Sequence, residues 1–339
     1  MAILGLDIGT HNIKLIELSK DKNGPILLAA GSMPSPPKSV SSNLDIDQQA
    51  IAHVIRELLK GTGAKSREVN ISLPEAQVFT RVIEMPALSE RELTSAIKWE
   101  SEQYIPLPLD QVTMDFSILT DPSDSPTGKI KVLLVAAPKA LTERYIRIME
   151  FAELVPISAE TEIIALSRAL VRSVPSVPNI MTVSLGGQTT DIAILRKGIL
   201  TFTRTISAGG DAITRALSES LDFTLLQAES YKKTYGLEKN ILEGKIVAVL
   251  KPVMESIIGE MKRAISFFEE SYKNEHIGVI ILTGGNAKLP GIIPYIAEGT
   301  GIEVQQGNPW VGIRKDPRFA VLNQEGAIFA VAIGLALKD

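Results

Sequence analysis

Leu6-Asp7-Ile8-Gly9-Thr10-His11-Asn12-Ile13-Lys14-Leu15-Ile16 and Val183-Ser184-Leu185-Gly186-Gly187-Gln188-Thr189-Thr190-Asp191-Ile192-Ala193 share one design. Each is an apolar run, a short turn of Gly, Thr, Asn or Gln, and a second apolar run. That is the pattern of two buried strands joined tightly. Glycine lets the backbone come close to a ligand, and clustered turn amides form a concavity that holds anions. In register, Asp7 falls on Ser184, Gly9 on Gly186, Thr10 on Gly187, Asn12 on Thr189 and Lys14 on Asp191. Two such hairpins half a chain apart predict two lobes gripping one polyphosphate.

Working outward, strands are expected over 2–8, 13–19 and 26–32, then a Ser/Pro loop from Ser32 to Ser42. A helix capped by Asp47 runs to Lys60 with Gly61 beyond its end, its apolar side Ile51, Val54, Ile55, Leu58 and Leu59. Strands at 69–73 and 77–85 precede a capping box at Ser89 and Glu92 and a helix through Trp99 to Tyr104, stopped at Ile105-Pro106-Leu107-Pro108. Strands at 112–119 and 130–137 flank a polar turn from Asp121 to Gly128, and a helix covers 139–153. After Pro156 a helix is expected over 159–172. A strand covers 199–206. A helix opens at Gly209-Gly210-Asp211, and a capping box of Thr224 and Gln227 starts another that ends near Gly236. The pattern over 243–272 is one long helix kinked at Pro252 or a junction of two. Val279-Ile280-Ile281-Leu282 is a buried strand leading into Thr283-Gly284-Gly285, followed by a helix near 290–298 and a closing helix from Glu325. Strands alternate with helices in both halves, so the class is α/β with two similar lobes.

Bulk properties narrow the function. The chain has 339 residues, 45% hydrophobic and 22% charged, enough for two lobes with cores. A net charge of −4 gives nucleic-acid binding no electrostatic support. There is no cysteine, which excludes disulfides, thiolate nucleophiles and Cys-based metal sites, and the histidines His11, His53 and His276 form no ligand motif. Residues 1–10 lack the pattern of a signal peptide, and no apolar run reaches the roughly eighteen residues of a membrane span. A cytoplasmic protein with no direct membrane insertion is expected.

The residue types at the turns suggest their chemistry. Asp7, where a strand enters the turn, suits Mg²⁺ held through water, and Lys14 can return across the hairpin to a phosphate. Gly284 and Gly285, directly after a buried strand, suit a flat ligand lying against backbone. Glu229 and Lys232, three apart on a helix, share one face and by spacing alone read as a solvated ion pair.

The order of these elements resembles the actin, sugar-kinase and heat-shock-chaperone ATPase superfamily, whose core is ribonuclease H-like. A closer resemblance is to the PilM family, actin-like assembly proteins of type IV pili. It is carried by Gly5-Leu6-Asp7-Ile8-Gly9 with Ile13-Lys14-Leu15-Ile16-Glu17-Leu18, by Val82-Ile83-Glu84-Met85-Pro86-Ala87-Leu88-Ser89-Glu90-Arg91-Glu92-Leu93 and by Trp99-Glu100-Ser101-Glu102-Gln103-Tyr104-Ile105-Pro106. Phe202-Thr203-Arg204-Thr205-Ile206 leading to Gly209-Gly210, and Phe329-Ala330-Val331-Ala332-Ile333-Gly334-Leu335-Ala336-Leu337, belong to it as well.

The resemblance implies the fold of FtsA: a first lobe over 1–74 and 156–179 with the end segment 325–339 returning to it, an inserted 1C subdomain over 75–155, and a second lobe over 180–324. It implies ATP and Mg²⁺ in the cleft. The site would comprise Asp7 (metal), Gly9, Thr10, Asn12, Lys14, Gly186, Gly187, Gln188, Thr189, Thr190, Gly209, Gly210, Glu229, Lys232, Gly284 and Gly285. It implies a partner, the N-terminal cytoplasmic peptide of a PilN-like inner-membrane protein lying in a groove between subdomains 1A and 1C, together with other pilus-assembly proteins. The protein would then sit peripheral to the inner membrane through its partner.

The run Trp99 to Leu109 reads either as a wall of that groove or as a core helix and its stop. Glu90, Glu92, Glu100 and Glu102 read as a solvated face that also attracts a basic peptide. One departure stands out: the superfamily's second hairpin begins with an Asp, and here that position is Ser184. Asp191, seven residues on, is expected to lie too far along to replace it, leaving Glu160 on the connecting helix as the residue able to orient a water. Slow or absent hydrolysis follows as an expectation, since phosphoryl transfer relies on such positioning. The alternatives are an active ATPase and an FtsA-type membrane-linked filament protein. The latter usually needs a basic amphipathic end, unlike Ala336-Leu337-Lys338-Asp339.

Overall fold

The computed structural model describes residues 2–37, 42–88, 90–119, 129–239 and 241–338. The expected turn from Asp121 to Gly128 and the Ser89 end of the first capping box lie outside them. In the first part of the chain, β1 (Ala2–Ile8), β2 (Asn12–Asp21) and β3 (Gly24–Pro34) form a meander, followed by α1 (Asp45–Thr62) and β4 (Glu68–Leu73). Then come β5 (Phe79–Pro86), α2 (Glu90–Tyr104), β6 (Val112–Ile118), β7 (Lys129–Pro138), α3 (Lys139–Phe151), β8 (Val155–Thr161) and α4 (Glu162–Leu170). The remainder holds β9 (Asn179–Leu185), β10 (Thr190–Arg196), β11 (Ile199–Ile206), α5 (Gly210–Leu221), α6 (Leu225–Tyr235), α7 (Lys245–Ser271), β12 (Val279–Thr283), α8 (Ile292–Thr300), β13 (Val304–Gln306) and α9 (Gly326–Ala336).

Two sheets repeat one topology. The first runs β3-β2-β1-β4-β8 and the second β11-β10-β9-β12-β13. In each, the meander is antiparallel and the last two strands join in parallel. The parallel joins bury the central strands, which explains why β12 reads as a continuous apolar run. The first core packs β1, β2 and β4 on α1 and α3. The second packs β9, β10 and β12 on α5, α7 and α8. A three-stranded sheet, β5-β7-β6, carries α2 on one face. Its Ile83, Met85, Ile130, Val132 and Leu134 meet Leu93 and Ile97 of α2. Val82, Leu133 and Val135 point the other way, into the cores of the lobes.

Helix α9 brings the chain end back to the first lobe. A Cβ on Gly5 would lie 2.0 Å from the Ala332 carbonyl oxygen, and one on Gly334 would lie 1.8 Å from that of Ala165. Only glycine permits backbones this close. Among the described residues no single helix is long and apolar enough to cross a membrane. The bent pair of 317–324 with α9 passes on length and composition, but α9 is buried almost throughout.

Several expectations need correcting. Residues 155–161 are not helical: they pair in parallel with β4 as the sheet edge, so the helix begins at Glu162. Pro156 and a half-exposed edge hid the strand signal. Helix α1 starts at Asp45 with no side-chain cap and closes at Gly63, which adopts the left-handed conformation at φ 71°. Helix α7 continues past Pro252 without a junction. Pro252 and Ala248, whose carbonyl loses its partner, both face solvent, where water can supply the missing bond. The Thr224–Gln227 capping box is present in both directions.

Candidate functional site

The two hairpins close in the same way. The Gly9 amide donates to the Asn12 carbonyl at 3.1 Å and the Gly186 amide to that of Thr189 at 2.9 Å. Their strand pairs are also equivalent. Asp7 lies opposite Lys14, and Ser184 lies opposite Asp191. In the first hairpin this cross-strand pair is an ion pair, Lys14 Nζ to Asp7 Oδ2 at 2.8 Å, with Asp7 only 4% exposed. In the second, Asp191 accepts hydrogen bonds from the hydroxyls of Thr205 at 2.8 Å and Thr189 at 3.0 Å.

The second hairpin is a hub for later segments. Its Gly186 and Gly187 carbonyls accept from the Gly210 and Asp211 amides, which seats the start of α5 against it. The Thr190 hydroxyl holds the preceding loop through the Ala208 carbonyl at 2.7 Å, and Asn286 donates to the Gly186 carbonyl at 2.7 Å. Gly284 has φ 83°, and a Cβ there would stand 2.5 Å from the Leu185 carbonyl oxygen. Lys232 of α6 is buried, and its Nζ donates to the Gly210 carbonyl and the Thr214 hydroxyl. It also meets Glu229 at 2.6 Å, so that pair is part of the floor and not a solvated face. The turn residue His11 crosses the cleft to Asp211 Oδ1 at 2.6 Å.

Between the hairpins lies a cavity of about 920 Å³. Asp7, Asp191 and Glu162, the first residue of α4, line it between the hairpins, with Asp211 and Glu229 on the side of α5 and α6. Burial, then the negative charges of Asp7, Asp191 and Glu75, push the Glu162 carboxyl well above the usual range. Burial also takes Asp191 up to about 6, against the pull of its threonine bonds. Glu75, buried behind them and accepting from the Ile163 amide, is raised to about 7 by burial and by the charge of Asp191. Glu229 goes the other way. Burial alone would raise it, but hydrogen bonds from Lys232 and Thr214 and the charge of Lys232 bring it down to about 2. The cleft therefore has an acid-rich middle faced by Lys14 and, beside α6, the fixed Glu229–Lys232 ion pair.

Comparison with known proteins gives this arrangement a family. The profile described as "Type IV pilus assembly protein PilM" matches residues 5–339. The chain belongs to the PilM family. Its backbone superposes on a chain of a "PilM-PilN type IV pilus biogenesis complex" with a TM-score of 0.87 and 30% identity, covering 99% of this chain and 97% of that one. The cell division protein FtsA of Streptococcus pneumoniae is 25% identical over 360 residues, spanning 93% of this chain and 77% of that protein. MreB 5 of Spiroplasma citri bound to AMPPNP has a TM-score of 0.52 at 13% identity, covering 98% and 94% of the two chains, a likeness of fold alone. The fold is actin-like, as the repeated strand order indicates.

In this PilM-family chain the cavity collects most of the residues singled out by sequence. Asp7, Gly9, Thr10, Asn12, Lys14, Gly186, Gly187, Gln188, Thr189, Gly210, Glu229, Lys232, Gly284 and Gly285 all line it. Thr190 and Gly209 are outside the lining and act from behind: Thr190 through Ala208, and Gly209 as the cap of α5, packed on the Gly186 and Gly187 carbonyls. Glu160 is a correction. It sits on β8, not on a helix, and its carboxylate is taken by Arg168, at 2.5 and 2.8 Å, and by Lys338 at 3.3 Å, away from the cavity. Glu162, two residues on, is the acid that reaches the cleft. The expectation for Asp191 is also corrected, because the tight turn folds it back directly across from Ser184. Asp211, Thr214, Arg215, Lys233 and Asn286, which the sequence reading did not single out for the site, line it as well. A strand–helix boundary placed at 161/162 would reveal Glu162, since Thr161 stands just before α4 and Glu162 begins its first turn.

Proposed function

We propose that this chain is an ATP- and Mg²⁺-binding scaffold of type IV pilus assembly. It would hold the N-terminal cytoplasmic peptide of a PilN-like inner-membrane protein in a groove between the first lobe and the three-stranded sheet. The observation that carries the nucleotide reading is the pair of equivalent turns facing one cavity of about 920 Å³. The partner reading rests on the 0.87 TM-score likeness to the chain of a PilM–PilN complex. In this reading the first lobe is 1–74 and 156–179 with 325–339, the inserted subdomain is 75–155, and the second lobe is 180–324. The protein sits at the cytoplasmic face of the inner membrane through its partner, alongside other pilus-assembly proteins.

The residues present fit the nucleotide and ion. The turn amides of both hairpins supply anion sites, with Lys14 as a point charge. Glu229 is already ionised and fixed, suited to accept from ribose hydroxyls. The glycines at 284 and 285 leave flat backbone for a base. Among the described residues no group of three acids or histidines converges on one point. The fit is therefore to an ion that keeps most of its water, as Mg²⁺ does, near Asp7 and Asp191. When bound, the ion would neutralise charge on the phosphates. Bound ATP stabilises the closed molecule because it binds the folded state alone. Turnover is slow in this reading: Asp191 is tied to two threonines, and Glu162 is pushed toward its protonated form, so neither is a ready base.

Thermal unfolding with ATP, with and without Mg²⁺, beside a phosphate-release assay tests the proposal. ATP at about 100 times its Kd should stabilise the protein by roughly 2.7 kcal/mol. Absence of any shift refutes nucleotide binding, and brisk phosphate release refutes the scaffold role. Glu162 favours a second reading, an active ATPase. If Glu162→Gln removed a substantial wild-type turnover, that reading would replace the first. Pull-down with a PilN-like N-terminal peptide tests the partner separately.

A further inference from the structure

The tip of the first turn reaches across to the second lobe. His11 Nε2 and Asp211 Oδ1 stand 2.6 Å apart, joining residues 200 positions distant in the chain. The imidazole also rests against the second turn: a Cβ on Gly187 would lie 2.5 Å from it, and the three atoms nearest that Cβ all belong to the His11 ring. Backbone bonds anchor both partners. The His11 carbonyl accepts from the Ser35 amide at 2.9 Å, and the Asp211 amide donates to the Gly187 carbonyl at 2.8 Å. His11, Gly187 and Asp211 all line the cavity. The lysines of the lining are engaged elsewhere, Lys14 with Asp7, and Lys232 and Lys233 with Glu229. Arg215, one turn after Asp211 on α5, forms no ion pair among the described residues. Asp211 has no other side-chain partner than His11 among those residues.

We propose, on the basis of the nucleotide reading of this cavity, that His11 and Asp211 are positioning residues: their bond clasps the two turns at one separation and so selects a ligand that carries a chain of phosphates. A triphosphate that bridges the turns needs both sets of turn amides at a fixed span. Adenosine alone, in the same reading, engages only the α6 and Gly284 side. A clasp that sets the span beforehand lowers the ordering cost that a bridging ligand has to meet. The bond does little for the fold. The His11 side chain is 58% exposed and that of Asp211 33%, and pairs so open to water contribute little to folding stability. The upper end of what an exposed pair supplies corresponds to about fivefold in affinity.

The test uses the full chain with Mg²⁺, titrated with ATP in a calorimeter and with adenosine by competition. His11→Ala should weaken ATP about fivefold and leave adenosine within about twofold. Asp211→Ala and Asp211→Asn lose the same charge, but the second keeps an acceptor for the imidazole, so the difference between them isolates the bond. Asp211→Ala should therefore bind ATP about fivefold more weakly than Asp211→Asn. The double variant His11→Ala with Asp211→Ala should bind no more weakly than His11→Ala, since both changes remove one bond. Thermal unfolding without ligand should be nearly the same in every variant, as expected of an exposed pair. Unchanged ATP affinity in His11→Ala, or equal affinity in Asp211→Ala and Asp211→Asn, overturns the clasp and leaves the nucleotide reading standing. A fall in ATP and adenosine binding together with unliganded stability also overturns it, because the pair would then hold the fold. A wild-type chain that binds neither ligand refutes the nucleotide reading and the clasp with it.

Discussion

The first and second hairpins have the same backbone and different chemistry. Both close with a glycine amide on the carbonyl three residues later, and both place a cross-strand pair beside the cavity. The first hairpin puts an acid on the incoming strand and a lysine on the outgoing one. The second puts a serine on the incoming strand and the acid on the outgoing one. The first is neutralised by itself. The second brings in a buried carboxyl with no cation beside it among the described residues, next to Glu162 and Glu75, whose titration it also perturbs. In the proposed function, the duplicated geometry would place the ligand's anionic groups, and the unlike pairs would decide where a cation is wanted.

The largest expected effect breaks the first pair. Lys14→Ala leaves Asp7 buried without its partner, which should cost about 3 kcal/mol in urea unfolding at neutral pH. It should also abolish the ATP-linked thermal shift. A loss below about 1 kcal/mol would mean that water takes the place of the ammonium.

Next comes the base of the second hairpin. Gly284→Ala forces a Cβ into the Leu185 carbonyl at a positive φ, costing about 2 kcal/mol, and it should weaken nucleotide binding as the loop moves. Unchanged stability would show that the loop is free of the hairpin.

The pH dependence sharpens the contrast between the pairs. Folding raises Glu75 from 4.5 to about 7 and Asp191 from 3.8 to about 6. The native state therefore holds protons that the unfolded chain has released. Stability is greatest below the lower of these values, falls as pH rises from about 4 to 7, and levels off above that. The slope is up to about 1.4 kcal/mol per pH unit for each proton held. Glu75→Gln and Asp191→Asn should each flatten the profile, and a flat wild-type profile would disprove the assignment.

The smallest effect comes from making the hairpins alike. Ser184→Asp sets an acid directly opposite Asp191, a like-charge cross-strand pair that should cost up to about 1 kcal/mol. The cost should shrink at pH 5, where Asp191 is protonated, and with Mg²⁺. If added Mg²⁺ had no effect on this variant, the acids would not form a cation site.

Much of this site was legible because it is local. A turn of glycines between apolar strands declares itself within a dozen residues, and both hairpins, the Thr224 capping box and the Gly284–Gly285 loop are of that kind. The place of Glu160 is hidden for the opposite reason. Strand β8 takes its identity from pairing with β4, a partner far away in sequence, and it carries Pro156 and turns its apolar Val155 and Ile157 to the exposed side. Shifting the helix start to Glu162 moves the carboxylate into the cleft. The place of Asp191 is not legible in the sequence because distance along the chain is not distance in space: a tight turn makes seven residues into one cross-strand step.

The sequence alone determined the two-lobed α/β class, the family and the backbone cradles, since local periodicity and turn chemistry depend on neighbours in the chain. Only the tertiary structure decided which acids share the cleft, because Asp7, Glu162 and Asp191 come from three separate segments and their charges act through space. The outward turn of Trp99 was likewise settled by which face of α2 the small sheet claimed.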